Sequence, residues 1–207
     1  MSAPPNYKGP QQSGIVDEPR LKNMSKKFDD AIARFDAANA ADPDGEELIY
    51  AQRMSEWLGR FAPEASEVVK LAARSQHIRR WEIPRDRYPM DRAGYHRWRN
   101  ELGAFHAKVA GEILREVGYD EAMVGRVQSL LRKERLKEDP DAQLLEDVIC
   151  LVFLEYYFPN FAKKHDEQKV INILRKTWRK MSERGHQAAL KLRLGAEERK
   201  LIEKALL

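Results

Sequence analysis

Cysteine is nearly absent from this sequence, and so are long apolar runs. The one cysteine, Cys150, has no partner for an internal disulfide, and its apolar neighbours predict a buried, inert thiol. No apolar stretch is long enough for a membrane span, and the N-terminus lacks the apolar core that a secretory signal requires. We therefore expect a reducing compartment, the cytoplasm, and no partnership with a membrane.

Alternating strand patterns, glycine-rich phosphate loops and nucleophile elbows are missing as well. What is present is 43% apolar and 34% charged residues, a mixture typical of helices that each bury one stripe and leave the rest in water. The net charge of +4 is small, so it does not demand a nucleic acid partner, although charge can still cluster locally. These observations predict an all-α fold, a compact helical bundle.

The chain divides into a predicted flexible arm over residues 1–19 and a single helical domain over residues 20–207. Proline, glycine, serine and glutamine dominate the arm, which leaves it few groups to bury. In the domain, apolar residues recur every three or four positions in eight segments. Asp120 and Asp139 precede two of these segments and are expected to cap helices, while Gly118 is expected to end one.

Two of the predicted helices position the residues of interest. The third is expected to begin at Pro63, to end before Pro84, and to carry His77, Arg80 and Trp81 on one face near its end. The sixth, over residues 144–158, is apolar around nearly its whole circumference. A helix of that kind is surrounded by other helices, so we expect it to be the centre of the bundle.

Seven arginines and no lysine occur between residues 79 and 99, interleaved with four aromatic residues. Arginine presents a planar fork of donors that matches phosphate or carboxylate in two-point contacts, so this composition favours anion recognition. The alternative is that the arginines pair with nearby acids and stack on their aromatic neighbours. The candidate ligand-binding residues of this segment are Arg79, Arg80, Trp81 and Arg85.

Glu146 and Asp147 lie about two turns inside the predicted central helix, beyond the reach of the helix dipole. Unpaired carboxylates there would be costly, so arginines or lysines of neighbouring helices, or a metal ion, should meet at least one of them. We expect Asp147 to pair with the arginine-rich segment. A catalytic role and a structural ion pair with Lys133 or an arginine both remain open for these carboxylates.

His77 stands at the start of the arginine-rich segment, where an imidazole is suited to act as a ligand or a general base. A structural role is the alternative, as it is for His106 at the edge of a core stripe. The histidines do not have the spacing of a known zinc site, so by themselves they identify no metal centre.

Two basic helical faces have a separate interpretation. One covers residues 132–137, and the other combines Lys176, Arg179 and Lys180 with Trp178. Such charge runs usually face solvent. An RNA-binding surface has the same composition, because backbone recognition requires positive charge and some aromatic stacking.

Several short stretches resemble the family called domain of unknown function 4202. They are QHIRRW (76–81), LRKE (131–134), LEDV (145–148), CLVFLE (150–155) and KTWRKMS (176–182). The resemblance extends from about residue 28 to about residue 190. It implies no established activity.

A more remote resemblance is to the HD superfamily of metal-dependent phosphohydrolases, in which a histidine, a His-Asp pair and a later aspartate bind metal across a helical bundle. Residues 71–78 resemble the helix with the His-Asp pair, and residues 145–147 resemble the last acidic segment. Tyr50 stands where the first histidine is expected, and Ile78 replaces the aspartate of the pair. His77 and Asp147 leave the ligand set for a divalent cation incomplete, so we expect no tightly bound transition metal.

Together these features predict an HD-like bundle whose pocket binds a phosphate-bearing small molecule or nucleotide. The expected chemistry is that of a phosphohydrolase, in which arginines hold the phosphoryl oxygens and His77 or Glu134 orients or deprotonates water. Asp147 is the third catalytic candidate, and Lys133 and Glu146 complete the ligand-binding set. The alternatives are a binding module without chemistry, and an RNA-binding or protein-interaction domain that uses the basic helical faces.

Overall fold

The computed structural model describes residues 18–136 and 138–206, and within these ranges it contains ten α-helices and no strand. The helices are α1 (Glu18–Ala40), α2 (Glu46–Phe61), α3 (Glu67–Arg74), α4 (Arg92–Val117), α5 (Glu121–Leu131), α6 (Pro140–Val152), α7 (Phe158–Lys164), α8 (Glu167–Trp178), α9 (Glu183–Ala189) and α10 (Ala196–Leu206). The all-α prediction is confirmed. The predicted arm lies outside the described residues except for residues 18–19, which belong to α1.

Short polar side chains fix the start of most of these helices. The residue before each of α3, α4, α5, α6, α8 and α9 is a serine or an aspartate whose side chain accepts a hydrogen bond from a first-turn backbone N–H. Asp120 and Asp139 are capping residues, as predicted. Gly118 ends α4 in the left-handed conformation, which costs glycine nothing because it has no Cβ.

The α6 helix lies at the centre of the packing, in contact with α2, α3, α5 and α9. Its buried side chains, including Leu145, Val148 and Leu151, belong to one apolar cluster that extends from α1 to α10. The prediction of a central helix is therefore confirmed. None of the helices in the described part of the chain is long and apolar enough to cross a membrane.

Regular α-helical geometry in this central element ends at Val152, short of the predicted Phe158. A π-helical turn, Phe153–Tyr157, follows, and the Phe158 backbone N–H donates to the Phe153 carbonyl. Pro159 explains the change, because it has no N–H and its ring would collide with the carbonyl four residues earlier in a regular helix. The helices α7 and α9 were not predicted, since seven residues are too few to show a periodic pattern.

The third helix differs from its prediction at both ends. It begins after Ser66, whose side chain caps it, rather than at Pro63, and it ends at Arg74. Residues 75–79 form turns, and Arg79 adopts a left-handed backbone with φ of 52°. The Arg79 backbone N–H donates to the side-chain oxygen of Asn39 at 3.0 Å, which holds this turn against α1. His77 therefore lies in a turn, and Arg80 and Trp81 lie in a 3₁₀ helix, Arg80–Glu82, rather than on one face of α3.

Candidate functional site

A cleft of 530 Å³ opens between the turn after α3, the first half of α4 and the end of α5. Its lining combines charged and polar side chains with apolar surface from Leu102 and Leu131. The lining residues are Gln76, His77, Arg99, Asn100, Leu102, Gly103, His106, Leu131, Arg132, Lys133 and Glu134.

Two buried side chains in this lining carry polar atoms that lack a partner among the described residues. Gln76 is 4% exposed and His106 is 3% exposed, and the unpartnered atoms are Gln76 Oε1 and His106 Nε2. Burial, followed by the charges of Arg80 and Arg99, lowers the pKa of His106 to about 3, although a hydrogen bond to the backbone of Gln76 opposes the shift. His106 is therefore a neutral imidazole at physiological pH.

His77 is held on both sides. Its Nδ1 lies 3.4 Å from a carboxylate oxygen of Glu47, its Nε2 lies 3.4 Å from Nη1 of Arg80, and its ring stacks on Tyr50 at 3.9 Å between centroids. Burial and the charge of Arg80 keep the pKa of His77 well below its usual value. Burial likewise raises the pKa of Glu47 to about 7, against the opposing charge of Arg80.

Lys133 joins the cleft to the central helix. Its backbone is left-handed, with φ of 57°, a conformation in which a side chain with a Cβ is uncommon. Its Nζ donates to Glu146 at 2.5 Å, and Lys180 approaches the other oxygen of that carboxylate at 3.5 Å. Burial lowers the pKa of Lys133, whereas Glu146 opposes this change. Burial would raise the pKa of Glu146, but the two lysines bring it below its usual value.

The charges around the cleft do not balance. Five cations, namely Arg80, Arg99, Arg132, Lys133 and Lys180, face three carboxylates, namely Glu47, Glu134 and Glu146. Each carboxylate has a cationic partner within 4 Å, but Arg99 has no carboxylate partner among the described residues. Its charge reaches the whole site, because it lowers the pKa of Arg80, of His77, of His106 and of Lys133.

The structure brings some of the predicted site residues together. His77, Lys133 and Glu134 line the cleft, and Arg80 lies beside it, in contact with His77 and with its guanidinium 4.8 Å from the centre of the Trp98 ring. Glu134 is exposed at the mouth and accepts a hydrogen bond from Arg132 at 2.7 Å. Glu146 lies behind the lining. It forms an ion pair with Lys133, which is one of the two roles left open for it by the sequence.

Other predicted residues do not reach the cleft lining. Arg79 pairs with Glu82 at 2.5 Å, and Trp81 lies in the same 3₁₀ turn as Glu82. Arg85 donates to the backbone carbonyls of Tyr88 and Pro89, so it ties together the loop before α4. Arg79 is thus paired with a local acid, as the alternative interpretation of the segment describes, and the Arg85 guanidinium lies 5.8 Å from the centre of the Trp98 ring.

The prediction that Asp147 pairs with arginines is wrong. The carboxylate accepts hydrogen bonds from the backbone N–H of Ser182 at 2.7 Å, from the Ser182 hydroxyl, and from Gln143 at 3.1 Å. None of the described arginines contacts it. Successive residues of an α-helix point about 100° apart, so Asp147 faces α9 while Glu146 faces Lys133.

Sequence reasoning did not select several residues that build this site. Arg99 stands in the arginine-rich segment, but its composition does not distinguish the arginine that enters the cleft from those that pair locally. His106 has a weak signal as a polar residue at the edge of a core stripe. Gln76 belongs to the stretch QHIRRW, but that resemblance assigns it no role, and Glu47 carries no signal because an isolated acid on a helical segment is ordinary.

A metal centre of the kind implied by the HD resemblance does not fit these residues. Tyr50 is packed on His77, Ile78 is fully buried in the core, and Asp147 is bonded to Ser182. Within residues 18–136 and 138–206, no group of three or more His, Cys, Asp or Glu side chains is arranged to hold an ion. We therefore derive no chemistry through a metal.

Comparison with known proteins places the chain in a family. Residues 29–202 match the family described as domain of unknown function (DUF4202), and the match covers most of the chain. The protein belongs to this family. No curated protein and no solved structure matches it.

Proposed function

We propose that the cleft binds a phosphate-bearing small molecule or nucleotide. The observation that carries the proposal is Arg99, a guanidinium in the lining without a carboxylate partner among the described residues. Arginine matches phosphoryl oxygens in two-point hydrogen bonds. Burial, with the charge of Arg99 as a smaller cause, lowers the pKa of Arg80 and of Lys133, and an anion beside Arg99 would oppose both causes.

The size of the cleft supports a small ligand. Its volume of 530 Å³ falls within the range of about 300–1,000 Å³ that is usual for small-molecule sites. Lys133 keeps donors for a ligand even while it is paired with Glu146, because an ammonium group has three N–H bonds. The surface alternative has less support on the first basic face, where Arg132 pairs with Glu134 and Arg135 pairs with Glu138; Lys137 lies outside the described residues. On the second face, Lys180 lies 3.5 Å from Glu146 and Trp178 stacks on His186.

Hydrolysis of a bound phosphate ester is a second candidate, and His106 favours it. The sequence favours His77 or Glu134 as the residue that activates water, but both His77 nitrogens face Glu47 and Arg80, and Glu134 is paired with Arg132. His106 belongs to the lining and its Nε2 has no partner among the described residues. In this candidate reaction the His106 side chain turns toward the cleft and accepts a proton as water bonds to phosphorus, and it returns the proton to the alkoxide released when the ester P–O bond breaks. A phosphate nearby would raise the pKa of His106 toward the range of a useful base.

Thermal unfolding with and without ligand tests the binding proposal. A ligand that binds only the native state raises its stability with the logarithm of ligand concentration. We expect phosphate, pyrophosphate or nucleotides to raise the melting temperature of the wild type. Arg99→Ala should abolish most of the increase, and Arg80→Ala and Lys133→Ala should reduce it.

Arg97→Ala is the matched control, because Arg97 is an exposed arginine two positions away on α4. This variant should keep the full increase in melting temperature. Arg179→Ala, at the C-terminal cap of α8, should keep it as well. Equal losses in Arg97→Ala or Arg179→Ala and in Arg99→Ala would instead support binding over the general basic surface. No increase with any phosphate compound would refute the proposal.

A further inference from the structure

Gln76 and His106, the two buried polar residues of the lining, form what we call the floor of the cleft, and they indicate which kind of phosphate compound fits. Among the described residues, four buried side-chain nitrogen or oxygen atoms lack a hydrogen-bond partner, and two of them, Gln76 Oε1 and His106 Nε2, belong to lining residues. A buried polar atom without a partner is costly, and it is uncommon in a folded protein. Both residues belong to the lining, but the two atoms have almost no accessible surface, so a ligand reaches them once the Gln76 and His106 side chains turn toward the cleft.

Both atoms are hydrogen-bond acceptors. The Gln76 atom is the amide oxygen, which cannot donate. The His106 ring is neutral because burial and the charges of Arg80 and Arg99 lower its pKa to about 3. A neutral imidazole has one N–H and one acceptor nitrogen, and Nε2 is the acceptor when Nδ1 carries the proton. The floor therefore requires donors from its ligand.

A doubly ionised phosphate ester cannot supply them, because its terminal oxygens carry no proton and only accept hydrogen bonds. The cationic residues Arg99 and Lys133 suit that group, and they lie in the same lining as the two acceptors. The cleft thus has two chemically different parts, one that donates to an anion and one that accepts from neutral donors. Hydroxyl groups attached to the carbon skeleton of a phosphate ester meet the second requirement.

We infer that the ligand is a phosphorylated sugar or polyol, bound with its phosphate at Arg99 and Lys133 and with hydroxyl groups donating to Gln76 Oε1 and His106 Nε2. This inference rests on the proposed binding of a phosphate compound, and it adds the part of the ligand that carries no charge. A nucleotide contains the same unit, a phosphate next to a ribose.

Calorimetric titration with a matched pair of ligands tests the inference on the wild-type protein. Ribose 5-phosphate carries hydroxyl groups, whereas tetrahydrofurfuryl phosphate has the corresponding five-membered ring and phosphate without them. We expect ribose 5-phosphate to bind about tenfold or more tightly, because the analogue leaves the buried acceptors unpaired. Equal affinity for the two compounds would overturn the inference.

Two variants test whether Gln76 and His106 bind the hydroxyl groups. Gln76→Leu and His106→Phe should each weaken ribose 5-phosphate binding about tenfold, while the affinity for tetrahydrofurfuryl phosphate stays within about twofold of the wild type. Equal losses for both ligands would show that the floor acts only as a structural support and would overturn the inference. The wild-type comparison remains decisive should a variant fail to fold.

Adenosine monophosphate and inorganic phosphate complete the series. Adenosine monophosphate should bind at least as well as ribose 5-phosphate, and its affinity should fall in Gln76→Leu and His106→Phe. Binding that requires the adenine base and is unchanged in both variants would count against the inference. If inorganic phosphate binds but hydroxyl groups add nothing, only this inference fails. If no phosphate compound binds at all, the proposed function itself fails.

Discussion

Lys133 donates a 2.5 Å hydrogen bond to Glu146 from a backbone in the left-handed conformation. Glu146 is 2% exposed, so its charge would be costly without this lysine and the more distant Lys180. The strained turn and the buried carboxylate thus stabilise each other, and together they fix the position of a cation in the cleft lining.

Replacement of Glu146 by alanine should destabilise the protein by about 3–5 kcal/mol, the usual cost of breaking a buried ion pair. The loss leaves Lys133, Lys180 and Arg99 with uncompensated positive charge around the cleft. Phosphate should therefore restore part of the stability of Glu146→Ala. Denaturant unfolding with and without phosphate measures both effects.

Asp147→Ala is the control for this experiment. The Asp147 carboxylate holds Ser182 and Gln143, and it has no cation to release into the cleft, so phosphate should add no more stability to this variant than to the wild type. Equal rescue of the two variants would show that phosphate acts elsewhere.

Glu47→Gln should change how stability depends on pH. Burial raises the pKa of Glu47 to about 7 from an ordinary value of 4.5, so its contribution to stability is complete below pH 4.5 and is lost as the pH rises to about 7. A glutamine at this position stays neutral at every pH, so the variant does not lose this contribution to stability. Relative to the wild type, the variant should therefore gain on the order of 2 kcal/mol in unfolding free energy between about pH 5 and pH 8.

Unfolding in guanidinium at several pH values checks this prediction. Glu46→Gln, a change at the exposed neighbour, should keep most of the loss of stability that the wild type shows between about pH 5 and pH 8, because Glu47 is intact. A difference between Glu47→Gln and the wild type that stays constant with pH would mean that the Glu47 carboxyl is not desolvated.

Gly185→Ala should destabilise the contact between α6 and α9. A Cβ at Gly185 would lie 2.7 Å from Oδ1 of Asp147, and that carboxylate cannot easily move because Ser182 and Gln143 hold it. We expect a loss of about 1–3 kcal/mol from this overpacking. Gly59→Ala provides the contrast, since nothing lies within 4 Å of its Cβ position in α2 and alanine favours a helix by about 0.5–1 kcal/mol. Thermal unfolding of both variants should show opposite signs.

Cys150 should not react with a thiol reagent in the native protein. Its side chain is buried, and burial, with a further contribution from Glu146, raises the pKa of the thiol to about 12. The reactive thiolate is therefore scarce at neutral pH. A chromogenic disulfide reagent should modify one thiol per chain after unfolding and none before it. Rapid labelling of the folded protein would contradict the burial of this residue.

Much of the fold follows from local patterns. The spacing of apolar residues predicts the long helices, the capping aspartates at 120 and 139 mark two helix starts, and Gly118 marks an end. These features depend on residues within one or two turns of each other, so the sequence contains all that they need. The end of α3 could not be predicted in this way, because the turn at Arg79 depends on a hydrogen bond to Asn39 in α1.

The sequence by itself determined an all-α protein with an excess of arginine in one segment and two carboxylates in its central helix. Only the tertiary structure decided that Arg99 enters a cleft while Arg79 pairs with Glu82, and that Glu146 holds Lys133 while Asp147 turns to Ser182. The physical reason is that helix formation depends on near neighbours, whereas the environment of a charge depends on which groups distant segments bring within a few ångströms of it.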